Sequence, residues 1–278
     1  MVTFLPAPIG NLQDITLRTL EILKHCDILL CEDTRMSKKL IALLMERALL
    51  PLKDYIYYPF HTHNQESFLA QNSLEFFYQN IGFLSDAGMP CVSDPGVELV
   101  RFLQANHIPF EVLGGISAVT LMVALSGIVE KEFSFLGFPP HKAKEKLEFF
   151  YAVFKNPYPI ILYESPHRLL ESLDLMVQVD KNRQVFLAKE LTKKYQRTFK
   201  GSLESVFNAL KDSNDKALLK GEWAMVVDKT EKTESYTLSE EALLSLEIPP
   251  KFKAKILAKM KGGSVSDYYQ SLVNGQKN

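Results

Sequence analysis

The chain has 278 residues, of which 46% are hydrophobic and 23% charged, with a formal net charge of −1. That length supplies one large or two ordinary domains with ample core, and the composition is that of a soluble globular protein rather than a disordered or fibrous one. No apolar run approaches the ~20 residues that span a bilayer, and the amino terminus has no basic stretch followed by an apolar signal core, so a cytoplasmic protein without membrane contact is expected.

Residues 2–7 are apolar and end in Pro6-Ala7-Pro8-Ile9-Gly10-Asn11, which reads as a first strand and its turn. Residues 16–25 carry Leu17, Leu20, Ile22 and Leu23 along one side of a predicted helix. A second strand at 27–31 empties into Glu32-Asp33-Thr34-Arg35 ahead of a helix at 36–47. Those charges have two readings, a helix start with favourable acidic residues or a polar cluster on the rim of a cleft. A third strand at 55–60 leads to His61-Thr62-His63-Asn64. Two histidines two apart are half of a metal site, but no third ligand with recognisable spacing follows, so no metal is expected. Residues 65–80 read as one helix and 81–85 as a fourth strand.

That strand opens into Ser85-Asp86-Ala87-Gly88-Met89-Pro90-Cys91-Val92-Ser93-Asp94-Pro95-Gly96, ahead of a helix at 97–105. Gly88 is free to take positive φ or to let a ligand lie on bare backbone, and Pro90 and Pro95 stiffen their neighbours. Asp86 suits a ligand contact and Asp94 suits a helix cap, although a plain βα turn with two capping aspartates has the same sequence. Cys26, Cys31 and Cys91 form neither a CxxC pair nor an even set, which argues against a disulfide framework and for reduced, buried thiols. A fifth strand at 110–113 ends in Gly114-Gly115-Ile116-Ser117-Ala118-Val119-Thr120, which matches neither GxGxxG nor the P-loop. Strands alternating with helices to residue 115 predict a parallel, doubly wound sheet with its polar and small-residue loops gathered at one edge.

After Gly127 the texture changes. Residues 133–140 restart an apolar strand, and the basic run His141-Lys142-Ala143-Lys144-Glu145-Lys146 opens a helix. Lysines there oppose the helix dipole, which fits either a solvated end or a contact for a polyanion. Strands at 159–163 and 184–188 each empty into acid and base types, Glu164-Ser165-Pro166-His167-Arg168 and Lys189-Glu190-Leu191-Thr192-Lys193-Lys194. An extended segment at 195–200, a helix at 203–210 and a strand at 222–227 complete this part. From residue 249 onward there are six lysines and one aspartate, so a tail of +5 follows a body of −6. Its predicted helices at 239–246, 250–260 and 264–273 place Lys251, Lys255 and Lys259 on one face, either a solvated face or a nucleic-acid accessory. The divisions are residues 1–115, 116–230 and 231–278.

Several of these stretches carry a resemblance. Pro8-Ile9-Gly10-Asn11-Leu12-Gln13-Asp14-Ile15-Thr16, Cys31 to Arg35, Ser85 to Pro90, Ser93 to Gly96, Gly137-Phe138-Pro139-Pro140 and Tyr163 to Arg168 resemble the successive signatures of the small-subunit ribosomal RNA ribose methyltransferase I family, of the tetrapyrrole methylase superfamily. The resemblance runs from about residue 4 to 228, and the chain departs from it at Gly114-Gly115-Ile116, where members often carry Pro-Gly-Pro. It implies two α/β domains with S-adenosylmethionine in the cleft between them, a helical carboxyl-terminal extension and a homodimer. The implied reaction is methylation of a cytidine 2′-hydroxyl in the decoding centre of small-subunit ribosomal RNA, free or in the assembled subunit. Cofactor contacts then fall on Pro8, Asp86, Met89, Ser117, Ala118, Tyr163, Ala188 and Ala224. A ribose hydroxyl must lose its proton to act as a nucleophile. Lys189, Glu190, Glu164 and Arg35 are the catalytic candidates, and His167, Arg168, Lys142, Lys144 and the three tail lysines are candidate RNA contacts. Alternatives are a tetrapyrrole C-methyltransferase, whose small macrocycle gives the basic segments no purpose, and a non-catalytic RNA-binding or ribosome-assembly protein, which need not bind the cofactor.

Overall fold

The computed structural model describes residues 1–213, 215, 218, 220–230 and 239–274. Met1–Glu231 form one compact unit and Lys232–Asn278 a second.

In the first unit the chain alternates β1 (Val2–Leu5), α1 (Leu17–His25), β2 (Ile28–Cys31), α2 (Thr34–Glu46), β3 (Ile56–Pro59), α3 (Gln65–Gln71), β4 (Ile81–Leu84), α4 (Gly96–Ala105) and β5 (Phe110–Val112). The strands form a wholly parallel sheet in the order β3-β2-β4-β1-β5. The central runs are buried at every position, and apolar but for Thr3 and Gly82, because both faces are covered. Leu5, Leu29 and Cys31 pack with Leu20, Leu23, Ile41 and Leu44 of α1 and α2, while Val2, Phe4, Ile28 and Leu30 pack with Leu99 and Leu103 of α4 on the other face. The single helix expected at 65–80 is two pieces. Asn72 is extended and its side-chain amide donates to the carbonyl of Phe68 at 2.7 Å, which ends α3, and a short 3-10 turn at Leu74–Tyr78 then buries Phe77.

A second sheet follows α5 (Ala118–Ser126): β6 (Ser134–Phe135), α6 (Ala143–Lys155), β7 (Ile160–Glu164), α7 (Leu169–Asp180), β8 (Gln184–Lys189), β9 (Arg197–Ser202), α8 (Leu203–Lys211) and β10 (Trp223–Val227). It is mixed, in the order β6-β7-β10-β8-β9, with β6 and β7 parallel and the remaining pairs antiparallel. Helix α5 covers one face through Val119 and Met122, beside Ile161, Phe186, Ala188, Ala224 and Val226. Helices α6, α7 and α8 cover the other, with Phe150, Leu173 and Val206 against Leu162, Leu187 and Met225. The expected boundary at 115 and 116 lies just before α5, and we propose it as the division between two lobes of this unit.

The second unit holds α9 (Glu240–Ser245), α10 (Pro250–Lys261) and α11 (Val265–Asn274). Ser239 caps α9 by accepting from the Ala242 amide, and Pro250 opens α10 where a missing N–H costs nothing. Ala254 and Leu257 of α10 are buried, and Lys251, Lys255 and Lys259 are exposed.

Candidate active site

The carboxyl-terminal edge of a parallel sheet is where its loops and the amino ends of its helices converge. Here β1 delivers Ala7 to Ile9, β2 delivers Glu32 and β4 delivers Ser85 to Met89. The first and third of these loops are joined by reciprocal amide hydrogen bonds, each 2.9 Å, between Ala7 and Gly88. Gly88 takes φ +78 to make that bridge. The loop after β5 packs as tightly: a Cβ on Gly115 would stand 2.2 Å from the Cβ of Pro6. Beyond Met89, Cys91 and Ser93 both have positive φ, 69° and 68°. Asp94 holds that strained turn by accepting at Oδ1 from the amides of Cys91 (2.9 Å) and Gly96 (2.8 Å), so it also caps the first turn of α4.

The opposite wall comes from the second sheet. Register pairs Tyr163 with Ala224 and Ala224 with Ala188, so these three share the face towards α5 and the first lobe. Tyr163 is wedged by the rings of Phe135 and Phe138, with centroids 4.8 and 5.6 Å away, and burial pushes its hydroxyl up to about 12. Between the walls lies a cavity of about 410 Å³. Ile9, Asp86, Met89, Ser117, Ala118, Phe138, Tyr163, Leu191 and Ala224 are among the residues that line it. Ala188 is buried beside Ala224 on the neighbouring strand, and Pro8 is half-buried beside the lining Ile9.

One wall is acidic. Glu32, Asp86 and Asp94 all border the cavity. Burial is the main reason that each binds its proton more tightly than an ordinary carboxylate, and the mutual repulsion of Glu32 and Asp86 adds to it at Glu32. Asp86 is oriented by the amide of Asp33, which donates to Oδ1 at 3.0 Å. Asp33 itself is the amino-terminal cap of α2, and hydrogen bonds from Arg35 hold its carboxyl down at about 2. Both readings of the charged turn after β2 therefore hold, in different residues.

The remaining expected residues are placed differently. Glu164 and Lys189 flank Trp223 in register, one residue out of step with Tyr163 and Ala188, and so belong to the face covered by α6, α7 and α8. The Glu164 carboxylate is fully buried and accepts from the Ser165 amide at 2.8 Å and the Ser172 hydroxyl at 2.5 Å. Glu190 has positive φ, and its Oε1 accepts from the Glu222 amide at 3.0 Å and Lys193 Nζ at 2.9 Å. Although burial works the other way, these donors keep its pKa below the usual value. Glu164 borders the cavity with its carboxylate held by Ser165 and Ser172, and Glu190 is held by Glu222 and Lys193, so we propose that Glu164, Lys189 and Glu190 fix the strand ends rather than meet the reacting group.

Arg168 is likewise engaged within the protein, and we propose that it holds the fold rather than RNA. Its Nη2 donates to the carbonyls of Pro139 (2.6 Å) and Pro140 (2.8 Å), and its Nε lies 3.5 Å from Glu164. Arg35 is 88% exposed on the rim, and His167 and Lys144 are exposed. Lys142 pairs with Glu145, and the neighbouring Lys146 is buried against Glu171. Ile9, Leu191 and Asp94 line the cavity without having been expected there, and Glu32 is expected from sequence only as one of several acid and base types at strand ends. Glu32 stands inside a motif already quoted, but its orientation follows only from the strand end.

The sequence profile of the Tetrapyrrole (Corrin/Porphyrin) Methylases matches residues 1–206. A protein of Campylobacter fetus subsp. fetus named Ribosomal RNA small subunit methyltransferase I is 41% identical, covering 98% of this chain and 100% of its own. One of the same name from Helicobacter pylori strain J99 is 40% identical and covers 100% and 99%. Among solved structures, a Thermus thermophilus uroporphyrin-III C-methyl transferase complexed with S-adenyl homocysteine superposes with a TM-score of 0.53 at 17% identity, over 81% of this chain and 96% of that one. That similarity is one of fold.

Proposed function

Because the chain belongs to the ribosomal RNA small subunit methyltransferase I family, within the tetrapyrrole methylases, we propose that it transfers a methyl group from S-adenosylmethionine to small-subunit ribosomal RNA. The acceptor in this reading is the 2′-hydroxyl of a cytidine in the decoding centre, met by a homodimer. The observation that carries it is the convergence of Asp86, Met89, Ser117, Ala118, Tyr163 and Ala224 on one cavity between two lobes.

The residues present fit the cofactor. The hydroxyl of Ser85 and Oδ2 of Asp94 are buried at the cavity without a hydrogen-bond partner, and Ala87, Gly88, Ala118 and Ala224 leave room for a flat ring system against backbone. The acidic wall of Glu32, Asp86 and Asp94 suits a ligand carrying positive charge. When bound, the cofactor supplies a methyl group on a cationic sulfur. The chain's own contribution is to hold acceptor oxygen and methyl carbon in line, which can supply much of the acceleration, while Ile9, Leu191, Phe138 and Tyr163 keep water out. Pro8 and Ala188 act from beside the lining by setting the positions of Ile9 and Ala224. Glu164, Lys189 and Glu190 serve as positioning residues that fix the strand ends. Arg35, Lys144 and His167 stand exposed for RNA phosphates, with Lys142 behind its ion pair and Lys251, Lys255 and Lys259 on the tail. Labelled S-adenosylmethionine incubated with unmodified small subunits should mark the RNA. Label entering only a porphyrinoid acceptor would favour the tetrapyrrole alternative.

A further inference from the structure

Five acidic residues border the cavity, Glu32, Asp86, Asp94, Glu164 and Glu222. Four are committed. Asp86 takes the Asp33 amide, Asp94 holds the strained turn at Cys91, Glu164 is sealed beneath its strand, and Glu222 is ion-paired with Lys193 at 2.8 Å. Glu32 is different. Its backbone is fixed, since its amide donates to the carbonyl of Leu84 at 3.3 Å, but its carboxylate meets only the Asp86 amide, at 3.5 Å, among the described residues.

From these placements we propose that Glu32 takes the proton from the acceptor hydroxyl, an assignment that rests on the methyl-transfer reading above. In the step, the hydroxyl oxygen forms a bond to the methyl carbon as the carbon–sulfur bond breaks and its electron pair returns to sulfur. The hydroxyl proton passes to the Glu32 carboxylate and from there to water once the product leaves. The groups that face Glu32 are Asp33 and Asp86 beside it, Asp94 from the turn before α4, and Tyr163 from the opposite wall. Arg35 of α2 is engaged by Asp33 at 2.7 Å rather than by Glu32. A desolvated carboxylate among like charges has a raised affinity for the proton it must accept, which moves it towards the working pH of a general base.

The test is Glu32→Gln in the full chain, which keeps the shape and can still meet the Asp86 amide. Single-turnover methyl transfer to unmodified small subunits should slow by about 10²-fold or more. The dissociation constant for S-adenosylmethionine, measured by calorimetry, should stay within roughly threefold. The unaltered chain should lose rate as the pH falls and Glu32 is protonated, and the residual rate of the variant should lack that acid limb. A variant rate within about threefold of the unaltered chain, or a loss matched by an equal loss of cofactor binding, would overturn the assignment. Should the glutamine variant not fold, the pH profile of Glu32→Asp decides: a displaced acid limb supports Glu32 and an unchanged one overturns it. Failure of the unaltered chain to methylate small subunits would overturn the functional reading and this assignment together, whereas normal transfer by the variant overturns the assignment alone.

Discussion

Arg168 joins two loops that the sequence keeps 28 residues apart, since its guanidinium bonds to the carbonyl of Pro140 and reaches the buried Glu164. Removing one partner of a buried pair leaves the other charge uncompensated, so Arg168→Ala should cost about 3 kcal/mol, read from the urea midpoint. If the side chain instead met RNA phosphates, the variant would keep its stability and lose only RNA affinity. From sequence alone Arg168 reads as a phosphate contact, because the Pro139 and Pro140 carbonyls that occupy it are invisible there. The same limit separates Tyr163 from Glu164 and Ala188 from Lys189. Neighbouring strand residues face opposite ways, and only the register with β10 tells which one looks into the cleft. Asp94 is legible as the holder of its own turn because turn chemistry is local.

Elements as wholes were easier to read. Strands β1, β2 and β4 are short apolar runs bounded by turn residues, and covering both faces requires that pattern. The break between α3 and the 3-10 turn escaped because it depends on Asn72 turning its side chain onto Phe68 and on the burial of Phe77, neither of which interrupts the helical pattern. The loops that shape the cavity depend on close backbone approach. Gly115 is the sharpest case, since a methyl group there meets the rigid ring of Pro6 at 2.2 Å. Gly115→Ala should cost ~1–3 kcal/mol through overpacking and weaken cofactor binding, as unfolding and calorimetry would read. The same substitution at Gly114, where nothing lies within 4 Å, is the control that should leave both unchanged.

At the scale of the molecule, composition points to a globular protein and the alternation of strands with helices to an α/β one, and the acidic body and basic tail are both in the sequence. The lysine row of α10 is exposed as its spacing required, above buried Ala254 and Leu257. Neutralising Lys251, Lys255 and Lys259 to Gln should weaken binding to small-subunit RNA and reduce the salt slope of that binding by about two. S-adenosylmethionine affinity should be untouched. An unchanged slope would make the row a solvated face. The central claim is one reaction at one cavity, and mapping the methyl group tests it most directly. After incubation of the full chain with unmodified small subunits and labelled S-adenosylmethionine, digestion to nucleosides should yield label in 2′-O-methylcytidine from a single decoding-centre position. Label on a base, on another nucleotide or on no RNA at all would contradict it.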